Sequence, residues 1–156
     1  MKKLKLCPNC SSDRLADRTL EKSRAVAEHV FTVKLPAQAC AACGEVFIAG
    51  ADVVSFDNAV ALALLGAGVA HPEALKFLRK ATGLPAKEFA ALLDVRPETV
   101  SRWELGKRPI DRGSYLVLRQ LLLEHIHGRS ETADYARLLA KPKRLPKVVK
   151  LDRKAA

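Results

Sequence analysis

The sequence predicts an α+β chain of two domains, a small β domain followed by an all-α domain. Three observations predict it. All four cysteines lie within residues 1–50, as two C-x2-C pairs. The stretch "AVAEHVFTVKLPAQA" between the pairs is β-branched and partly alternating, the mark of short strands, with Pro36 breaking it. From Pro72 onward the apolar period becomes helical, with proline starts and a glycine stop.

Composition bounds the reading. Hydrophobic residues make up 49% of the 156 and charged residues 28%, which supports a globular core and argues against wholesale disorder. Aromatics are 5%, against an aromatic-rich sheet protein. The net charge of +10 points to a polyanionic partner without choosing among nucleic acid, acidic membrane and acidic protein. The longest apolar run, Ala59 to Ala70, is too short to span a bilayer and contains two glycines. "MKKLKLCPNC" has a basic start with no apolar region behind it, so no secretory signal and no membrane partner are expected. The expectation is a cytoplasmic protein, where four cysteines point to metal rather than disulfides.

Four segments follow. Residues 1–50 form the expected metal-binding domain, 51–71 a connector helix, 72–128 the helical domain and 129–156 a basic flexible tail. The tail holds the largest excess of charge, with nine basic and three acidic side chains.

Cys7, Cys10, Cys40 and Cys43 are the expected ligands of a structural zinc ion. Each C-x2-C turn presents two thiolates on one side, and the second pair closes a tetrahedron. Gly44 gives the second turn room to fold back. Four thiolates leave no position for a reactive water, so the metal is structural and the small domain's folding free energy is largely that of metal binding. Iron–sulfur and redox pairs are the other chemistries such cysteines serve.

"PEALKFLRKATG", "PAKEFAALLD", "PETVSRWELG" and "DRGSYLVLRQLLLEHIHG" read as four helices. In the second, Phe89, Leu92 and Leu93 are expected inside, with Ala90 small enough for a close crossing. A turn through Asp94, Val95 and Arg96 leads to Pro97 at the first turn of the third. Val100 and Trp103 form its buried seam. Arg96, Glu98, Thr99 and Arg102 are left outside, the layout of a helix-turn-helix reader. Arg96 stands where Ser, Thr, Asp or Asn would cap the helix, and a cation sits badly at the positive end of a helix dipole. A phosphate or a guanine edge would explain it.

"LRKATGLPAKEFAALLDVRPETVSRWELGKRPID" resembles the Xre/Cro-like helix-turn-helix, which implies a lambda-repressor-like helical domain. The resemblance implies DNA contacts from Glu98, Thr99, Ser101 and Arg102, with Arg96 and Lys107 beside them. It also implies a structural ion pair between Arg79 and Glu104. Two positions depart from the family pattern. Pro85-Ala86 replaces the usual Ser-Gln, removing one contact. Asp94 replaces the usual Gly, although Asp enters the left-handed region more readily than most residues. With its N-terminal cysteine pairs, residues 5–127 resemble the MqsA-type antitoxins, which join a YgiT-type zinc-finger domain to such a helix-turn-helix. That resemblance implies an antitoxin that represses its own operon and binds a ribonuclease toxin through the zinc domain.

The fourth helix is apolar over more than half its circumference, which suggests two buried faces. Leu118, Leu121, Leu122 and Ile126 are expected at a homodimer interface that places two recognition helices about 34 Å apart on palindromic double-stranded DNA. Burial against residues 52–70 would also account for them. His29, His71, His125 and His127 read as surface or core histidines, because four thiolates already satisfy a zinc ion, and Trp103 reads as core. There is no Gly-rich phosphate loop, nucleophile elbow or open metal site, so no enzyme is expected. The expectation is a sequence-specific DNA-binding regulator, with a zinc-containing protein-binding adaptor or a stand-alone regulator without a toxin partner as the alternative.

Overall fold

The computed structural model describes residues 3–142 and residue 144. Strands β1 (Leu15–Val26), β2 (His29–Cys40) and β3 (Val46–Ile48) form an antiparallel sheet in the order β1-β2-β3. Six helices follow: α1 (Gly50–Gly66), α2 (Pro72–Ala81), α3 (Ala86–Leu92), α4 (Pro97–Glu104), α5 (Arg112–Ile126) and α6 (Glu131–Ala140). This is the α+β, two-domain layout the sequence predicts.

The hairpin is longer than expected. β1 and β2 pair without interruption from Leu15↔Cys40 to Val26↔His29, and Pro36 sits inside β2 opposite Thr19. Proline is tolerated where a ladder lacks a partner. β3 reaches only Ala37 to Ala39, so Pro36 lies just past the end of that second ladder. At ~3.3 Å per residue the hairpin is about 36 Å long. The cysteines gather at one end of it and the helical core at the other.

Val26, at the turn, is buried in the same cluster as Phe56, Val60 and Leu64 of α1 and Leu75 and Leu78 of α2. Arg24 of β1 grips both carboxylate oxygens of Asp57 on α1, with Nη2 at 2.8 and 3.0 Å. Packing therefore runs straight across residue 50, the expected boundary between domain and connector.

The helical core collects Phe89 and Ala90 of α3, Val100 and Trp103 of α4, and Leu118, Leu121 and Leu122 of α5. Removing water from side chains of this size stabilises by about 1.5–3 kcal/mol each. His71 caps α2, its Nδ1 accepting from the Glu73 backbone N–H at 3.3 Å, with Pro72 at the first position. Asp111 caps α5 by accepting from the backbone N–H of Ser114 at 2.9 Å and its hydroxyl at 2.7 Å. Those two bonds, hydroxyl first, hold the Asp111 carboxyl below its ordinary range.

The expected tail begins with a helix. α6 packs on α5 and α3 and buries Ala133. Its first turn is clamped by Glu124 of α5, which is 3% exposed. The Glu124 carboxylate accepts from the Thr132 backbone N–H at 2.8 Å, the Thr132 hydroxyl at 2.6 Å and Gln120 Nε2 at 2.9 Å. The Thr132 hydroxyl is the main cause that holds the Glu124 carboxyl below the usual range. Lys143 and residues 145–156 of the expected arm lie outside the described residues.

The dimer face expected on α5 needs correction. Leu118, Leu121 and Leu122 are 1%, 5% and 0% exposed within the single chain, and Ile126 is half-buried against the same core. α5 packs on α2 and α6, which cover these side chains from within, while Leu116 stays 54% exposed. Leu118, Leu121 and Leu122 have no surface left for a partner.

Candidate metal centre and nucleic-acid interface

The two cysteine turns are built alike. In the first, the Ser11 N–H donates to the Cys7 carbonyl at 2.8 Å and the Cys7 N–H to the Ser12 carbonyl at 2.8 Å. In the second, Gly44 donates to the Cys40 carbonyl at 2.9 Å and Cys40 to the Glu45 carbonyl at 2.9 Å. Both turns need a left-handed residue just after the second cysteine. Gly44 supplies it at φ 78°, and Ser11 at φ 58°. Glycine takes that conformation freely, whereas serine does so under strain. The sequence marks only the Gly44 turn in this way.

The four Sγ atoms all lie within 4.8 Å of one another. Cys7 and Cys43 are 3.7 Å apart, and Cys10 and Cys40 3.6 Å. Thiolates ~2.3 Å from a tetrahedral zinc stand about 3.8 Å from each other, so the sulfur cage fits such an ion. Backbone N–H groups, Cys43's first and then Ala42's, hold the Cys40 thiol down to about 6. Cys10 moves the other way, to about 12. The Ser12 N–H lowers it, but loss of hydration and the sulfurs of Cys43, Cys40 and Cys7 outweigh that bond. Four sulfurs this close cannot all carry negative charge unless a cation sits among them. The group can hold a metal ion, and an all-sulfur donor set leaves no ligand position for chemistry.

Forty residues on, α3 and α4 make a second constructed site. α3 ends with the Val95 N–H on the Ala90 carbonyl at 3.0 Å and the Asp94 N–H on the Ala91 carbonyl at 3.3 Å. Asp94 adopts φ 52°, taking the place that glycine usually fills. The chain then enters α4 through Arg96, which gives no side-chain cap, and Pro97. Val100 and Trp103 are 1% and 3% exposed and anchor one side of α4 in the core.

The other side is free. Arg96, Glu98, Ser101, Arg102 and Lys107 are exposed, and Thr99 is half-buried. Arg96, Arg102 and Lys107 take part in no ion pair among the described residues. Lys107 and Arg108 follow the Gly106 turn and both donate their backbone N–H to the Arg102 carbonyl, at 2.9 and 3.3 Å. Arg108 is exposed and joins the basic group at this end of α4, although it lies beyond the helical pattern that singled out its neighbours. Gly106 takes φ 70°, and a Cβ there would come within 3.1 Å of Pro72, so the turn also packs α4 tightly against the start of α2.

Arg79 and Glu104 are brought together beneath this surface. Arg79 Nε donates to Glu104 Oε1 at 2.5 Å, and Arg79 Nη1 to the Leu84 carbonyl at 2.8 Å. Their side chains are 9% and 13% exposed. The pair ties α2, the α2–α3 loop and the end of α4 into one unit, which fixes the angle at which α4 is presented.

Residues 75–113 match the family model described as Helix-turn-helix. The match runs from α2 through α3 and α4 into the first turn of α5, covering the exposed face of α4 and the ion pair below it. No curated protein and no solved structure matches the chain. No described helix is long and apolar enough to cross a membrane.

Proposed function

We propose that this chain is a sequence-specific DNA-binding transcriptional regulator with a structural zinc ion, working in the cytoplasm as a homodimer on a palindromic operator. The observation that carries the reading is the exposed face of α4. It is held by Val100, Trp103 and the Arg79–Glu104 pair, and it offers Arg96, Glu98, Ser101 and Arg102 to the outside. In this reading α4 enters the major groove. Arg102 contacts a base edge or a phosphate, and Arg96 does the same from the helix start, where backbone dipoles and its own charge both favour an anion. Glu98, Thr99 and Ser101 tune sequence choice. Lys107 and Arg108 hold phosphates on the flank, which sets register without reading sequence.

Zinc is the metal we assign to Cys7, Cys10, Cys40 and Cys43. The support is the all-thiolate donor set and sulfur separations close to those of a tetrahedral zinc site. We extend the reading to an antitoxin that represses its own operon and binds a ribonuclease toxin through the zinc domain. Its support is the order of modules, a four-cysteine hairpin before a helix-turn-helix, which resembles the MqsA-type arrangement. One observation favours the second reading, a protein-binding adaptor. The N-cap and first residue of α3 are Pro85 and Ala86, neither with a polar side chain, so one customary DNA contact is missing.

An anisotropy titration on the gene's own upstream DNA and on a scrambled duplex, at physiological salt, tests the reading. A preference of about a hundredfold or more for the upstream DNA is the expected result. Equal, weak and salt-sensitive binding to both would replace it with the adaptor.

A further inference from the structure

The largest group of exposed apolar side chains on the described helices lies on α6, whereas α5 exposes Leu116. Ala133 points α6 into the core, and the Glu124 clamp fixes its first turn. On its outward side Tyr135, Leu138 and Leu139 are 66%, 44% and 65% exposed. Their spacing of three and four residues places them side by side on one stripe. The stripe borders an open groove of about 580 Å³ whose lining includes Leu92 of α3, Val117 of α5 and Ala136 of α6. Single exposed leucines are ordinary, but three large apolar side chains beside an apolar groove mark a contact surface.

The charges on α6 select the occupant. Asp134 and Arg137 pair with each other within the helix at 2.9 Å, which leaves Glu131 at its start and Lys141 just past its end outside any ion pair among the described residues. Two such helices side by side in parallel would set like charge against like. Antiparallel, Glu131 of each copy meets Lys141 of the other, and the helix dipoles also oppose. A two-fold axis across the helix imposes that antiparallel order. The same arrangement sets Leu139 of one copy against the Glu131–Tyr135 half of the other, where the groove opens.

We propose that a second copy of this chain docks on the Tyr135–Leu138–Leu139 stripe, with the two α6 helices antiparallel across a two-fold axis. This deepens the homodimer of the reading above by giving it a surface, and the surface argument itself uses no DNA.

Sedimentation equilibrium of the zinc-loaded full chain, without DNA, tests it. The unaltered chain should dimerise. Leu139→Glu combined with Tyr135→Glu should raise the dimer Kd by about tenfold or more, with the circular dichroism of the helices unchanged. Glu131→Lys should weaken the dimer roughly two- to tenfold by setting lysine against Lys141, and adding Lys141→Glu should restore it. A chain that stays monomeric to about 100 μM, or a dimer indifferent to all these changes, would overturn the proposal. A monomer that still prefers its own upstream DNA would sink the α6 interface and leave the DNA reading standing.

Discussion

The cysteine end of the hairpin and the helical domain hold themselves together by different means. Eight of the twelve residues of β1 are exposed, and Cys7 and Cys40 are among the few buried side chains near the cysteine turns. The helical end instead gathers buried side chains from α1 to α6 into one cluster. A chain segment with so little apolar burial cannot offset its own conformational entropy, so it needs another source of order. The contrast predicts that the cysteine end depends on a bound ion, whereas the helix-turn-helix does not.

Metal removal should break the molecule along that line. A strong chelator under reducing conditions should melt residues 3–24 and 34–48, since apparent binding free energies of structural zinc run to about 10–16 kcal/mol. Residues 50–140 should keep their helices and their amide signals in a two-dimensional NMR spectrum. Loss of both ends together would show the two regions to be a single cooperative unit, coupled through Val26 and the Arg24–Asp57 bridge.

Within the helical end, Glu104→Ala should cost about 3–5 kcal/mol, because Arg79 would be left as a nearly buried charge without its partner. Urea unfolding followed at Trp103 measures this. A loss below about 1 kcal/mol would mean that water reaches the pair as freely as at the surface.

Acid should act next, and on α6. The Glu124 and Asp111 carboxyls are depressed in the folded chain, so their contributions are complete above the unfolded carboxylate range and fade as pH falls through their folded values. Protection of the α6 amides against hydrogen exchange, relative to the unfolded chain at the same pH, should therefore fall below about pH 4, and Glu124→Gln should lower it already at neutral pH. The smallest effect is expected at Ser11. Ser11→Gly relieves left-handed strain and loosens the unfolded chain, so metal-loaded stability should change by less than about 1 kcal/mol.

Much of this was legible in the sequence, for local reasons. Cysteine spacing marks the cage, because ligand turns are short-range objects. Pro72, Pro97 and Gly83 punctuate α2 to α4, and the Val100–Trp103 spacing fixes which face of α4 goes inside. What escaped depends on distant partners. Pro36 reads as a strand break because its tolerance comes from where β3 stops, at Ile48, twelve residues later in sequence. α6 hides in a charged stretch because its anchor is a buried carboxylate on another helix. The apolar excess on α5 is visible in sequence, but whether a neighbouring helix or a second chain covers it is not. Here α2 and α6 cover all of it but Leu116, and the larger free apolar face is that of Tyr135, Leu138 and Leu139.

The measurement that tests the account most directly is the effect of Arg102→Ala on binding to the upstream DNA and to a scrambled duplex at the same salt. If α4 reads bases through Arg102, affinity for the upstream DNA should fall by about 1–3 kcal/mol while the scrambled duplex is little affected. An equal loss on both would assign Arg102 to the phosphates, and no loss on either would contradict the claim that this face of α4 meets DNA.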